Sequence, residues 1–126
     1  MIGGVSKVAI EVDDQQRAKE FWTETMGFEL VKDEPYHDDF RWVEVRPPDQ
    51  SLVIMLGPRQ GERREAPPKF PTTNVWFYCD DLQKTYDELT ARGVEFSQAP
   101  MEFQQGLWSV FVDPDGNRYA LIPRDQ

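Results

Sequence analysis

With 126 residues, 39% of them hydrophobic and 29% charged, the chain has the composition of one soluble globular domain. Its net charge of −9 excludes nucleic acid and anionic membrane surfaces as partners and leaves room for a cationic ligand. The single cysteine, Cys79, excludes an internal disulfide; no apolar run nears the ~20 residues of a membrane span and no leader-like start is present, so a cytoplasmic protein is expected.

Residues 5–12 alternate, with Val8, Ile10 and Val12 on one face of a strand and Lys7, Ala9 and Glu11 on the other. Asp13-Asp14 offers an N-cap, Asp14 the better of the two, for a helix running to about Met26 and stopped by Gly27. Ala18, Phe21, Trp22 and Thr25 recur at helical spacing, which makes Trp22 a core residue. Strands are predicted over 28–33, 39–46 and 51–56, and His37, the one histidine, falls in the charged loop 33–39 as a solvated side chain.

From Gly57 to Pro71 periodicity vanishes and prolines and glycines crowd the chain, so 57–71 reads as a linker. Then the first pattern returns. Val75-Trp76-Phe77-Tyr78-Cys79-Asp80-Asp81 repeats the spacing of Val8-Ala9-Ile10-Glu11-Val12-Asp13-Asp14. A helix over 82–92 ends at Gly93 as the first ended at Gly27, and strands follow at 94–97, 107–112 and 118–122. Trp42 to Asp49 likewise matches Trp108 to Asp115, and Asp113-Pro114-Asp115-Gly116-Asn117 is a hairpin turn. The chain is therefore α+β: two βαβββ modules (5–56 and 72–123) in a single domain, 1–126. Each module has one helix for a sheet with two faces. Turning the bare faces inward gives an eight-stranded curved sheet, an open cup with helices outside. Val75, Phe77 and Cys79 then pack on a helix, while Asn74, Trp76 and Tyr78 look inward.

The paired modules, the Asp-Asp helix starts at 13–14 and 80–81, Met26-Gly27-Phe28 and the Asp113–Asn117 turn resemble the vicinal oxygen chelate superfamily, the glyoxalase, bleomycin-resistance and extradiol-dioxygenase group. The resemblance covers about residues 5–123. It implies a divalent metal held by His, Glu or Gln at matching strand positions of both modules. Those positions fall on Lys7, Asn74, Ala120 and Ile54 or Met55, none a good ligand for a divalent ion. No metal, no other cofactor and no catalytic residue is therefore expected, and catalysis itself is doubtful. A shifted site using Glu11, Glu44 and Asn74 is the metal-binding alternative.

The predicted cup is lined by Lys7, Glu11, Phe40, Trp42, Glu44, Asn74, Trp76, Tyr78, Trp108 and Arg118, with Ala9 and Val110 between them. Three of the four tryptophans are in that set. Aromatic walls with a few converging polar groups suit a flat or cationic organic molecule. The set resembles the drug-sequestering, bleomycin-resistance branch, which binds antibiotics without metal and commonly as homodimers. A metal-free small-molecule-binding protein is the leading expectation. The alternative is a divergent metal-dependent lyase, isomerase or dioxygenase with a relocated site and Glu44 or Glu11 as base. Structural readings stand beside these: Trp42 and Trp108 as core fillers, and Lys7 with Glu11 as an internal ion pair. Asp13, Asp14, Asp80 and Asp81 serve as helix-start carboxylates, and Cys79 as a packed, non-nucleophilic thiol.

Overall fold

The computed structural model describes residues 1–104 and 106–124. Among these residues, eight strands fall into two four-stranded sheets, one per predicted module. The first half runs β1 (Lys7–Val12), α1 (Gln15–Glu20), a π-helical turn (Phe21–Thr25), β2 (Glu29–His37), β3 (Phe40–Arg46) and β4 (Val53–Pro58). The second runs β5 (Trp76–Cys79), α2 (Leu82–Ala91), β6 (Glu95–Phe103), β7 (Gly106–Val112) and β8 (Arg118–Pro123). Their strand orders are β1-β4-β3-β2 and β5-β8-β7-β6. In each, the first and last strands pair in parallel and the other neighbours are antiparallel. Residues 1–62 and 63–126 form two compact units.

Both helices start as expected. The Asp14 carboxylate accepts the Arg17 N–H at 3.0 Å, and Asp81 accepts that of Lys84 at 3.0 Å, which satisfies donors that a helix start leaves open. Gly27 (φ 79°) and Gly93 (φ 92°) end them in the left-handed region, where an L side chain is disfavoured. The first helix does not stay α-helical to Met26. It widens at Phe21, and the Met26 N–H reaches back five residues to the Phe21 carbonyl at 2.9 Å. Trp22, wholly buried, packs there with its ring centroid 5.3 Å from Phe21 and 5.1 Å from Phe28.

Each helix covers one face of its own sheet. In the first unit Ile10, Val12, Ala18, Trp22, Val43, Val45, Ile54 and Leu56 form the core, each large apolar member being worth about 1.5–3 kcal/mol on burial. In the second, Leu82, Leu89, Phe111, Tyr119 and Leu121 are buried, and Phe77 lies 5.9 Å from Phe111 and 5.8 Å from Tyr119. These are the faces that alternation assigned to the helices.

The strand lengths differ from expectation at the edges. β2 runs through Pro35 to His37, and β6 through Pro100 to Phe103, well past the predicted 33 and 97. Both are edge strands, where a proline that donates no ladder hydrogen bond is tolerated. Each carries register shifts, between Pro35 and His37 and between Gln98 and Met101. β4 also continues to Pro58, because Glu11 and Val12 pair with Gly57 and Pro58; the irregular stretch begins after Pro58 rather than at Gly57.

Candidate functional site

The helix-free face of the first sheet carries Lys7, Ala9 and Glu11 from β1, Met55 from β4, and Trp42 and Glu44 from β3. Register brings Ala9, Met55 and Glu44 into one row across the sheet. Glu44 is buried, with only 5% of its side chain exposed. Its Oε2 accepts the Lys7 ammonium at 2.7 Å and the Trp42 indole N–H at 2.7 Å. The Lys7 Nζ also stands 5.8 Å from the centroid of the Trp42 ring. Burial works to raise the Glu44 carboxyl, but the Lys7 and Trp42 hydrogen bonds outweigh it and hold the group below the ordinary glutamate range.

The expected Lys7–Glu11 pair is not the one formed. Four residues of strand separate them by about 13 Å, whereas the parallel β1–β4 ladder brings β3 and its Glu44 within reach. Glu11 accepts the Gln60 backbone N–H at 3.0 Å instead. Phe40 and Trp42 are joined by Tyr36, which the sequence pattern did not mark, and Phe40 also by His37. The Tyr36 ring lies 5.2 Å from Trp42 and 5.5 Å from Phe40. His37, expected in a solvated loop, ends β2 and stacks on Phe40 at 5.6 Å. Pro35 and the shift after it hid the strand pattern that would have placed Tyr36 on this face.

The second sheet presents Trp76 and Tyr78 from β5, Trp108 and Val110 from β7, and Arg118 and Ala120 from β8. Trp76, Ala120 and Val110 share a row, the counterpart of Ala9, Met55 and Glu44. Trp76 is 57% exposed, while Val110 and Ala120 are buried. Arg124 lies over the Tyr78 ring, its Cζ 4.1 Å from the centroid, and donates to Asp80 at 2.8 Å.

Residues 63–70, part of the predicted linker, are bound to this second unit. Arg63 donates to the Asp115 carbonyl and Arg64 to Asn74 Oδ1 at 2.6 Å. Arg118 donates to the carbonyls of Pro67 and Ala66, both at 3.3 Å, and the Phe70 ring lies 5.7 Å from Trp108. Three predicted site residues, Asn74, Trp108 and Arg118, are thus engaged by this strap. Asn74 itself precedes β5 rather than lying in it.

The family resemblance places metal ligands at Lys7, Asn74, Ala120 and Ile54 or Met55. Ile54 points into the core at 1% exposure, so Met55 is the residue on the helix-free face. An ammonium, a thioether, an amide already bonded to Arg64 and the methyl of Ala120 do not fit a divalent oxygen- or nitrogen-seeking ion. Glu44, central to the shifted alternative, is held by Lys7 and Trp42. Cys79 is half-buried, its Sγ directed to the Ile122 carbonyl at 3.7 Å; burial raises the thiol's pKa, which suits a packed rather than nucleophilic cysteine. Among the described residues no helix is long and apolar enough to cross a membrane.

Two βαβββ modules, each with its first and last strands paired in parallel, define a paired-module α+β protein. Residues 4–121 match the family model of the Glyoxalase/Bleomycin resistance protein/Dioxygenase superfamily, and the chain belongs to that superfamily. It is 34% identical over 121 residues to the protein YetH of Bacillus subtilis strain 168, covering 96% of this chain and 98% of YetH. A superfamily member from Sphaerobacter thermophilus DSM 20745 superposes with a TM-score of 0.81 at 33% identity, covering 95% of this chain and 96% of that one. TnmS3, an antibiotic binding protein from Streptomyces sp. CB03234, superposes at 0.74 with 27% identity and 98% coverage of both chains.

Proposed function

We propose that this chain is a metal-free small-molecule-binding protein that holds an aromatic or cationic compound, such as an antibiotic, and does not turn it over. The observation that carries this reading is the donor set at the superfamily's metal positions: Lys7, Met55, Asn74 and Ala120 offer no ligand that fits a divalent ion. Around them the helix-free faces keep Trp42, Trp76, Tyr78 and Trp108, which suit a flat organic ring. The likeness to TnmS3, an antibiotic binding protein, supports the same reading. Glu44 is a poor general base, because its charged form is already stabilised by two donors.

Titration with a panel of polycyclic aromatic and cationic natural products, read by intrinsic tryptophan fluorescence, tests the proposal. Saturable quenching by a compound recovered unchanged supports it; no saturable quenching by any of them rejects it. Stoichiometric Ni, Zn, Mn or Fe in protein purified without a metal-binding tag would favour the enzyme alternative. We further place the protein in the cytoplasm as a homodimer; a light-scattering mass near that of one chain would remove the dimer.

A further inference from the structure

We infer that the first unit carries a subsite for an organic ammonium ion, built from Trp42, Tyr36 and the Glu44 carboxylate, and that the protein's own Lys7 ammonium is its resident occupant. This rests on the small-molecule-binding reading and narrows it to ligands bearing a tertiary or quaternary nitrogen.

The fold does not require a carboxylate at position 44. At the equivalent row of the second sheet the position is Val110, opposite Ala120 as Glu44 is opposite Met55. A buried charge is costly unless paired and hydrogen-bonded, so Glu44 demands a cation where its counterpart demands none. Lys7 meets that demand at 2.7 Å, but from a position open to exchange. Its side chain remains 38% exposed on a flexible stem, and its nitrogen sits 5.8 Å from the Trp42 centroid, near the ~6 Å limit of a cation–π contact.

Trp42, whose indole N–H binds Glu44, is extended away from the carboxylate by further rings, giving more aromatic surface than a primary ammonium uses. Tyr36, 63% exposed, packs against both Phe40 and Trp42. A methylated nitrogen is more weakly hydrated than a primary ammonium and can lay its methyl groups on such rings while still facing a carboxylate. It would enter by displacing Lys7 toward solvent, one cation exchanging for another beside Glu44.

Choline and its neutral isostere, 3,3-dimethyl-1-butanol, distinguish a cation subsite from a mere apolar hollow. With Lys7 removed, as Lys7→Met, Glu44 loses its bonded cation and keeps only the weaker attraction of Lys32, its cross-strand neighbour on β2, and choline affinity measured by calorimetry should rise by about tenfold or more over the unaltered protein. The neutral alcohol should gain nothing, and Lys7→Met/Glu44→Gln should lose the choline gain. Equal gains for both compounds, or no gain for choline on folded Lys7→Met, would overturn the subsite. If Lys7→Met fails to fold, Lys7→Arg reads the same exchange: a guanidinium that grips Glu44 through two donors should weaken choline below the unaltered protein, and unchanged binding overturns the inference. A natural product that quenches the unaltered protein while choline fails these tests leaves the binding function standing and removes only the ammonium subsite.

Discussion

Two donors converge on one oxygen of Glu44, and the consequences can be measured without knowing any ligand. Glu44→Gln should cost about 1.5–3 kcal/mol at neutral pH, the range for losing a hydrogen bond to a charged group, seen as a lower urea midpoint. The pH dependence follows from the direction of the shift. The folded-state pKa lies below the ordinary 4.5, so this stabilisation is present above about that pH and is lost as pH falls through the folded value. The gap between Glu44→Gln and the unaltered protein should therefore narrow on acidification below pH ~4.5; a gap that widens would contradict the pairing with Lys7 and Trp42. Trp22 is a simpler case. It is wholly buried between the π-helical turn and Phe28, and Trp22→Ala should destabilise by about 3–5 kcal/mol in a denaturant melt.

Among the elements, helix starts and the strap make separable predictions. Asp81→Ala removes the carboxylate that caps α2 through Lys84 and should lower stability by about 1 kcal/mol, visible as a lower melting temperature. The strap over 63–70 has little apolar packing; it is tied down by guanidinium groups and backbone carbonyls. Arg118→Ala deletes two of those ties, so trypsin should cut after Arg63, Arg64 or Lys69 faster than in the unaltered protein while the rest of the chain resists. Equal cutting rates would mean that Arg118 does not hold the strap. Short strands, helix starts and helix stops were legible because a two-residue period, an aspartate and a glycine each act locally. The edge strands were not. Pro35 and Pro100 look like strand breakers until one knows that their strands have a neighbour on one side only.

For the molecule as a whole, the repeat was the most legible feature, because two stretches of like spacing can be laid one on the other without knowing any contact. The pair Lys7–Glu44 was not legible: it depends on a parallel β1–β4 ladder that sets β3 in register, which no local pattern encodes. Nor was the strap, since side chains that bind carbonyls leave no periodic trace. The two proline-bearing edges bear on how the protein behaves at high concentration. A long exposed edge is a template on which another chain can add its own strand, and proline interrupts that template. With a net charge of −9 opposing open-ended association, Pro35 and Pro100 make the chain resistant to sheet-to-sheet accretion, and Pro35→Val with Pro100→Val should shorten the lag before fibrils form, most plainly in high salt where repulsion is screened.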